Sequence, residues 1–358
     1  MQKRGIFLIA GTVTMSIILS GCFQGEQSLE EEMIDPPQNA EPVDNLEDSD
    51  AKANEQSEDE DNVSGTIARD LYLIDANGMV ASQTLELPTP ESNKVATQVL
   101  EYLVKGGPIS QLLPNGFQAV LPEGTEVLGI NLQEDGTMVV NFSKEFANYE
   151  AKDETKVLEA VTYTLTQFEN VEEVQLQMDG MALKEMPVNG TPIGEGYSRE
   201  NGINVSDTGV SDFMQSKTVT MYYPTEHDEN RYYIPVTQYV EPSEEVDEFS
   251  AIVKNLLKGP GIQSNVKQVF NDSAALTSKP SLKDGVLQLH FNESILKEQD
   301  KSVIADEVME TLVRTLTNVQ GVEAVQVNVE SVEELVNENG EAYTEPVTKQ
   351  QFIPTEKL

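Results

Sequence analysis

One feature constrains this chain more than any other: much of it is written twice. Leu103-Val104-Lys105-Gly106-Gly107-Pro108 recurs as Leu256-Leu257-Lys258-Gly259-Pro260. Met138-Val139-Val140-Asn141-Phe142-Ser143 recurs as Leu287-Gln288-Leu289-His290-Phe291-Asn292. Thr164-Leu165-Thr166, leading to Val174-Gln175-Leu176, recurs as Thr315-Leu316-Thr317, leading to Val325-Gln326-Val327. The order is kept and the offset stays at about 150 residues, the mark of one folding unit used twice.

Hydrophobic periodicity gives that unit its elements. Copy one opens with Asp70-Leu71-Tyr72-Leu73-Ile74, an Asn77-Gly78 turn and a strand from Val80 to Leu87; Asn-Gly between strand-like runs signals a hairpin. Copy two opens with Thr218 to Tyr223 and returns from Tyr232 to Tyr239 through a longer polar connection, Thr225 to Asn230. A helix follows in each, with Ser92 and Ser243 as caps and Glu244 and Glu245 near the positive end of the second. Val95, Ala96, Val99, Leu100 and Leu103 make one stripe; Val246, Phe249, Val253, Leu256 and Leu257 make the other. Both helices are expected to stop at Lys-Gly-Pro, where Gly supplies a left-handed residue. Lys-Gly-Gly-Pro is no phosphate loop, because it follows a helix instead of preceding one.

A second strand pair spans Thr125–Leu132 and Thr137–Phe142, and again Leu276–Leu282 and Val286–Phe291, each around Asp-Gly. Helices from Glu154 to Phe168 and from Ser302 to Asn318 precede final strands at Val174–Met178 and Val325–Val329. The order β-β-α-β-β-α-β predicts an α+β fold: two tandem two-layer domains, each a mostly antiparallel sheet with its helices on one face. The domains are placed at 66–190 and 214–358, with a Gly-, Asn- and Ser-rich linker at 191–213. A rigidly packed pair is expected over beads on a string.

The N-terminus sets the compartment. Lys3 and Arg4 precede an apolar run from Ile6 to Leu19, the pattern of a secretory signal over residues 1–21. Leu19-Ser20-Gly21-Cys22 resembles the lipobox of bacterial lipoproteins. That implies cleavage before Cys22 and a diacylglycerol on its sulfur, enough lipid for stable anchoring. Cys22 is the only cysteine of the chain, so no internal disulfide is available. Residues 22–65 then form a lipidated acidic tether: Glu30-Glu31-Glu32 and Glu58-Asp59-Glu60-Asp61 set against the single basic Lys52, a composition that predicts disorder.

A formal net charge of −39 excludes nucleic acid as a partner, because phosphate contacts need a basic surface. The same charge disfavours direct contact with anionic lipid. No catalytic, cofactor or metal site is predicted. His227 and His290 are the two histidines; His227 sits in a polar turn, His290 faces outward from its strand, and no zinc spacing joins them. The nucleophile elbow and the EF-hand pattern are both absent. Glu123, Glu145 and Asp179 near turns read as solvated carboxylates.

Ala119-Val120-Leu121-Pro122-Glu123-Gly124-Thr125, Val139 to Phe146, and Thr162 to Phe168 through Met178-Asp179-Gly180 resemble the GerMN domain family. The resemblance implies a fold like that of ring-building-motif domains and a role in endospore formation and germination. It further implies a location between mother-cell and forespore membranes, with the SpoIIIA–SpoIIQ channel complex as partner. Copy two departs from it at Asn271-Asp272-Ser273-Ala274 and at Glu330-Ser331. The expectation is a membrane-anchored protein-interaction scaffold, not an enzyme, with no cofactor and no small-molecule substrate. The rival is a ligand-binding or hydrolytic protein of the cell wall or cortex, which a pocket of convergent polar groups would favour.

Overall fold

The computed structural model describes residues 65–90, 94–168, 170–206, 216–242, 246–259, 266–298 and 302–352. The signal segment, Cys22, the tether, the cap candidates Ser92 and Ser243, Glu244, Glu245 and Pro260 lie outside the described residues.

Copy one runs β1 (Thr66–Ile74), β2 (Val80–Pro88), α1 (Val95–Glu101), β3 (Val127–Leu132), β4 (Thr137–Phe142), α2 (Glu154–Leu165), β5 (Glu173–Met178), and the short strands β6 (Met181–Ala182) and β7 (Tyr197–Ser198). Copy two runs β8 (Lys217–His227), β9 (Asn230–Val240), α3 (Glu248–Lys258), β10 (Ser281–Lys283), β11 (Val286–Phe291), α4 (Asp306–Leu316) and β12 (Ala324–Val329). The architecture is mixed α+β and mostly antiparallel. Each copy adds one parallel pair, β4 with β5 and β11 with β12, spanned by the intervening helix. In hydrogen-bonding terms the opening hairpin is a sheet of its own, beside the sheet that begins with β3 or β10.

The repeated Thr-Leu-Thr explains how helix and hairpin are joined. Thr164 and Thr315 are fully buried. Each hydroxyl accepts the outward-facing backbone N–H of a hairpin tyrosine, Tyr72 N at 3.0 Å and Tyr222 N at 3.0 Å. Leu165 and Leu316 fill the core. Thr166 and Thr317 return their hydroxyls to the Thr162 and Val313 carbonyls, which already accept the backbone N–H of the same threonines, so each carbonyl takes a second donor. A buried strand edge needs such partners, since an unpaired backbone amide costs about 1–3 kcal/mol.

Several expectations are corrected. Helix α1 stops at Glu101 without reaching Lys-Gly-Gly-Pro, and Lys94 precedes it without a side-chain cap. Leu103 has left the helix, and Lys105 N bonds to the Leu121 carbonyl. Only α3 ends as expected, on Gly259 at φ +80°. Its start is capped by Asp247, whose carboxylate accepts Ser250 N at 3.2 Å, so Val246 precedes the helix. The connection in copy two is tighter, not longer: the ladder runs to His227↔Asn230 and only Asp228 and Glu229 turn, both at positive φ. The polar residues that read as a loop are the tip of a long hairpin, exposed at Glu226, Asp228 and Glu229. Strand β10 covers only Ser281–Lys283, because Pro280 cannot donate to a ladder.

The predicted linker is largely part of copy one. Tyr197 pairs with Val174 in β5, and Val347 pairs with Val325 in the same way. Gly190 at φ +73° and Gly340 at φ +81° turn matching loops bridged at Glu185↔Pro192 and Val336↔Ala342. Asn189-Gly190 recurs as Asn339-Gly340, a repeat the composition had hidden. The duplicated unit therefore continues through Arg199 in one copy and Lys349 in the other.

Candidate functional site

The most elaborate polar construction among the described residues lies where the copies meet, around Ile203-Asn204-Val205-Ser206. Asn204 sits at φ +46°, a conformation that asparagine tolerates better than most residues. Its Nδ2 donates to the Val80 carbonyl at 2.7 Å and the Pro235 carbonyl at 2.8 Å, while Oδ1 accepts Val80 N at 2.9 Å. One side chain thus joins β2 of copy one to β9 of copy two. Thr237 N donates to the Ile203 carbonyl, and Ser206 N donates to the Thr237 carbonyl. The segment therefore adds itself to the outer edge of β9, parallel to it at Ser206↔Gln238.

Asp75 and Tyr232 form a second tie. Asp75, 2% exposed, accepts the Asn77 and Met79 amides within its own turn and the Tyr232 hydroxyl from copy two at 2.8 Å. The Tyr232 ring meets Phe117 edge to face at 4.7 Å. His227 lies over Gly116, where any Cβ would strike the imidazole; it works as packing surface at the end of β8. His290 is exposed.

Arg199 reaches under this junction. Its guanidinium lies 4.6 Å from the Tyr163 ring and 5.9 Å from Tyr72. It donates to Thr166 Oγ1 and to the Tyr163 carbonyl in the last turn of α2, a favourable place for a cation. Lys349 stands 5.9 Å from Tyr222 in copy two, the counterpart of Arg199 over Tyr72. A cleft of about 480 Å³ opens beside Tyr163, Arg199, Lys217, Thr237 and Asn318. Lys217 is engaged there by Glu248 at 2.8 Å. The cleft holds no nucleophile–base pair, and Arg199 is committed to ring and carbonyl contacts.

Glu159 of α2 is 3% exposed beneath the same segment. Burial pushes its carboxyl up to about 7, against the backbone of Asn204 and the charge of Lys156, which favour ionisation. Between the ordinary value of 4.5 and about 7, the folded protein binds this proton and the unfolded chain does not, so stability falls as pH rises. Glu159→Gln is expected to stabilise the protein by about 1–3 kcal/mol at pH 8 and to give little at pH 4. Thermal unfolding of parent and variant at both pH values measures this, and an equal gain at both would refute it.

The acidic residues flagged at turns form no metal-holding group among the described residues. Glu123 and Asp179 are exposed, and Glu145 is half-buried with its carboxyl held low by the Ser143 hydroxyl. No group of three or more His, Cys, Asp or Glu is placed to hold a metal among the described residues, and no helix there is long and apolar enough to cross a membrane. Asp75, Glu154, Glu159, Arg199, Asn204 and Tyr232 were not singled out in the sequence. Only the Asn-Gly repeat offered a signal that the region around them is folded.

Two copies of one α+β unit, joined by a segment that pairs with the second hairpin, define a tandem-domain protein. The chain matches the model of the Germane family, described as sporulation and spore germination, over residues 70–184 and 220–334, and it belongs to that family. It is 43% identical to the spore germination protein GerM of Bacillus subtilis (strain 168) over 369 aligned positions, covering 99% of each chain, and is a homologue of it. The solved tandem GerMN domains of the sporulation protein GerM from Bacillus subtilis superpose with a TM-score of 0.72 at 46% identity, over 79% of this chain and 97% of that one.

Proposed function

We propose that this protein acts in sporulation and spore germination as a lipid-anchored, non-enzymatic interaction module on the outer side of a membrane. The observation that carries the reading is the 43% identity to GerM, sustained over 99% of both chains. Three further features support it. The Leu-Ser-Gly-Cys sequence puts the sole cysteine, Cys22, at a lipidation position. Most of the buried side chains are apolar, and the buried carboxylates of Asp75 and Glu154 are taken up by donors of the chain itself. The two copies are tied by side chains spent on each other, which fixes the relation between their outer surfaces. The partner that the family resemblance suggests is the SpoIIIA–SpoIIQ channel complex between the two membranes of the sporulating cell.

Expression in Bacillus subtilis lacking GerM tests the reading. The chain should restore heat-resistant, germination-competent spores. Cys22→Ser should release the protein from the membrane fraction and remove fatty-acid label. Failure of the parent chain to complement, despite correct membrane retention, would refute the assigned role. Label that persists in Cys22→Ser would refute the anchor.

A further inference from the structure

The duplication supplies its own comparison for an open strand edge. In copy two, Thr237 of β9 is taken up on its outer side: its N–H donates to the Ile203 carbonyl, its carbonyl accepts Ser206 N, and its hydroxyl accepts Ile203 N at 2.9 Å. In copy one the matching residue is Thr84 of β2. The match follows from the ladders, since Tyr72 pairs with Ser82 and Tyr222 with Pro235, two residues before each threonine. The alternation of the β1–β2 ladder, anchored by Thr89 N to the Gly65 carbonyl and Asp75 N to the Met79 carbonyl, turns the backbone of Val80, Ser82, Thr84 and Glu86 outward. Val80 is satisfied on that side by Asn204. The N–H groups of Ser82, Thr84 and Glu86, and the carbonyls of Thr84 and Glu86, have no partner among the described residues. Thr84 is exposed, and Ser82 and Glu86 are half-buried. Pro88 closes the edge, with its carbonyl taken by Gln98.

We infer that this edge of β2, centred on Thr84, is a docking site for an extended segment of a partner protein that lies along it as Ile203-Asn204-Val205-Ser206 lies along β9. Strand addition to a free edge supplies main-chain hydrogen bonds, and flanking side chains choose the sequence. The occupied copy states the chemistry. Ile203 is fully buried and Val205 is 48% exposed, while Asn204 and Ser206 supply amide and backbone contacts, so the segment alternates apolar and small polar residues. Asp70, bonded to the Thr84 hydroxyl at 2.6 Å, and Glu86 both stand at the edge, which excludes an acidic segment. The net charge of −39 opposes a second copy of this chain as occupant. The inference rests on the interaction-module reading and names the surface it uses.

Two measurements test it. The probe for the first is the acetylated, amidated peptide Gly-Ile-Asn-Val-Ser, added to the full chain at up to about 5 mM, the range expected for so short a strand. Hydrogen-exchange mass spectrometry should show slowed exchange over residues 80–88. The effect should vanish in Thr84→Pro, which removes an outward N–H at an edge position that proline tolerates. A peptide with Asp in place of Asn should bind about tenfold less well or worse. No slowing with the parent, or equal slowing in Thr84→Pro, would overturn the site. For the second, a photoreactive residue is placed at position 84, or at Leu128 on the far sheet, in sporulating cells. Crosslinks from position 84 to an extended, non-acidic segment support the site. Crosslinks from Leu128 alone sink this site and leave the interaction reading standing; none from either position counts against both.

Discussion

Glu154→Ala should destabilise the protein by about 2–4 kcal/mol, because it leaves several donors without their acceptor at once. Glu154 opens α2 and is fully buried. Its carboxylate accepts Val188 N at 2.9 Å, Asn189 N at 2.6 Å, Thr191 N at 2.9 Å and the Tyr149 hydroxyl at 3.0 Å. Those amides belong to the Asn189-Gly190 loop that carries the end of copy one back across the sheet. Burial pushes the carboxyl up, but the amides of Asn189, Thr191 and Val188 outweigh it, and its pKa falls below the usual 4.5. The contribution is therefore complete above about pH 4.5 and is lost as pH falls through the lower folded value. Denaturant titrations at pH 7 and pH 3 check both parts: the variant should be far weaker than the parent at pH 7, with a smaller deficit at pH 3. Equal deficits at the two pH values would remove the charge from the account. Glu154→Gln keeps an acceptor and should recover part of the loss.

Asn204→Ala should cost about 2–3 kcal/mol and separate the unfolding of the copies. The alanine loses both carbonyl contacts and the Val80 N contact, and it must hold φ +46°, which costs a residue with a Cβ about 1–2 kcal/mol. Tyr232→Phe removes the other tie, the 2.8 Å bond to Asp75, and leaves a buried carboxylate oxygen with one donor fewer; about 1 kcal/mol is expected. In the double variant, circular dichroism and tyrosine fluorescence should report two transitions where the parent gives one. Coincident transitions by both probes in the double variant would show that the copies are coupled through other contacts.

The repeated segments made the elements of this protein legible before any coordinates. Met138, Val140 and Phe142, like Leu287, Leu289 and Phe291, alternate as buried strand residues and are buried. The repeated Thr-Leu-Thr was legible as a match but not as a mechanism: nothing in Thr164 or Thr315 says that its hydroxyl meets a strand 92 or 93 residues away. Local composition misled in two places. Gly, Asn and Ser in residues 191–213 read as a linker, although those residue types serve tight turns equally well, as they do in the described part of it, 191–206. The run Thr225 to Asn230 read as a loop, although the largely exposed tip of a hairpin carries the same polar residues as a loop.

Periodicity and duplication by themselves determined that two like α+β units form and which aliphatic side chains fill them; the buried carboxyls Asp75, Glu154 and Glu159 lay outside their reach. The units and their filling are short-range consequences of where apolar residues fall along a chain of alternating or helical geometry. The tertiary structure alone decided how the units meet. Asn204, Asp75, Tyr232 and Arg199 acquire their roles from groups that are remote in sequence, and a hydrogen bond depends on position and direction, which no residue type encodes. The same reason leaves Thr84 and Thr237, alike in sequence and ladder position, with one edge open and the other filled.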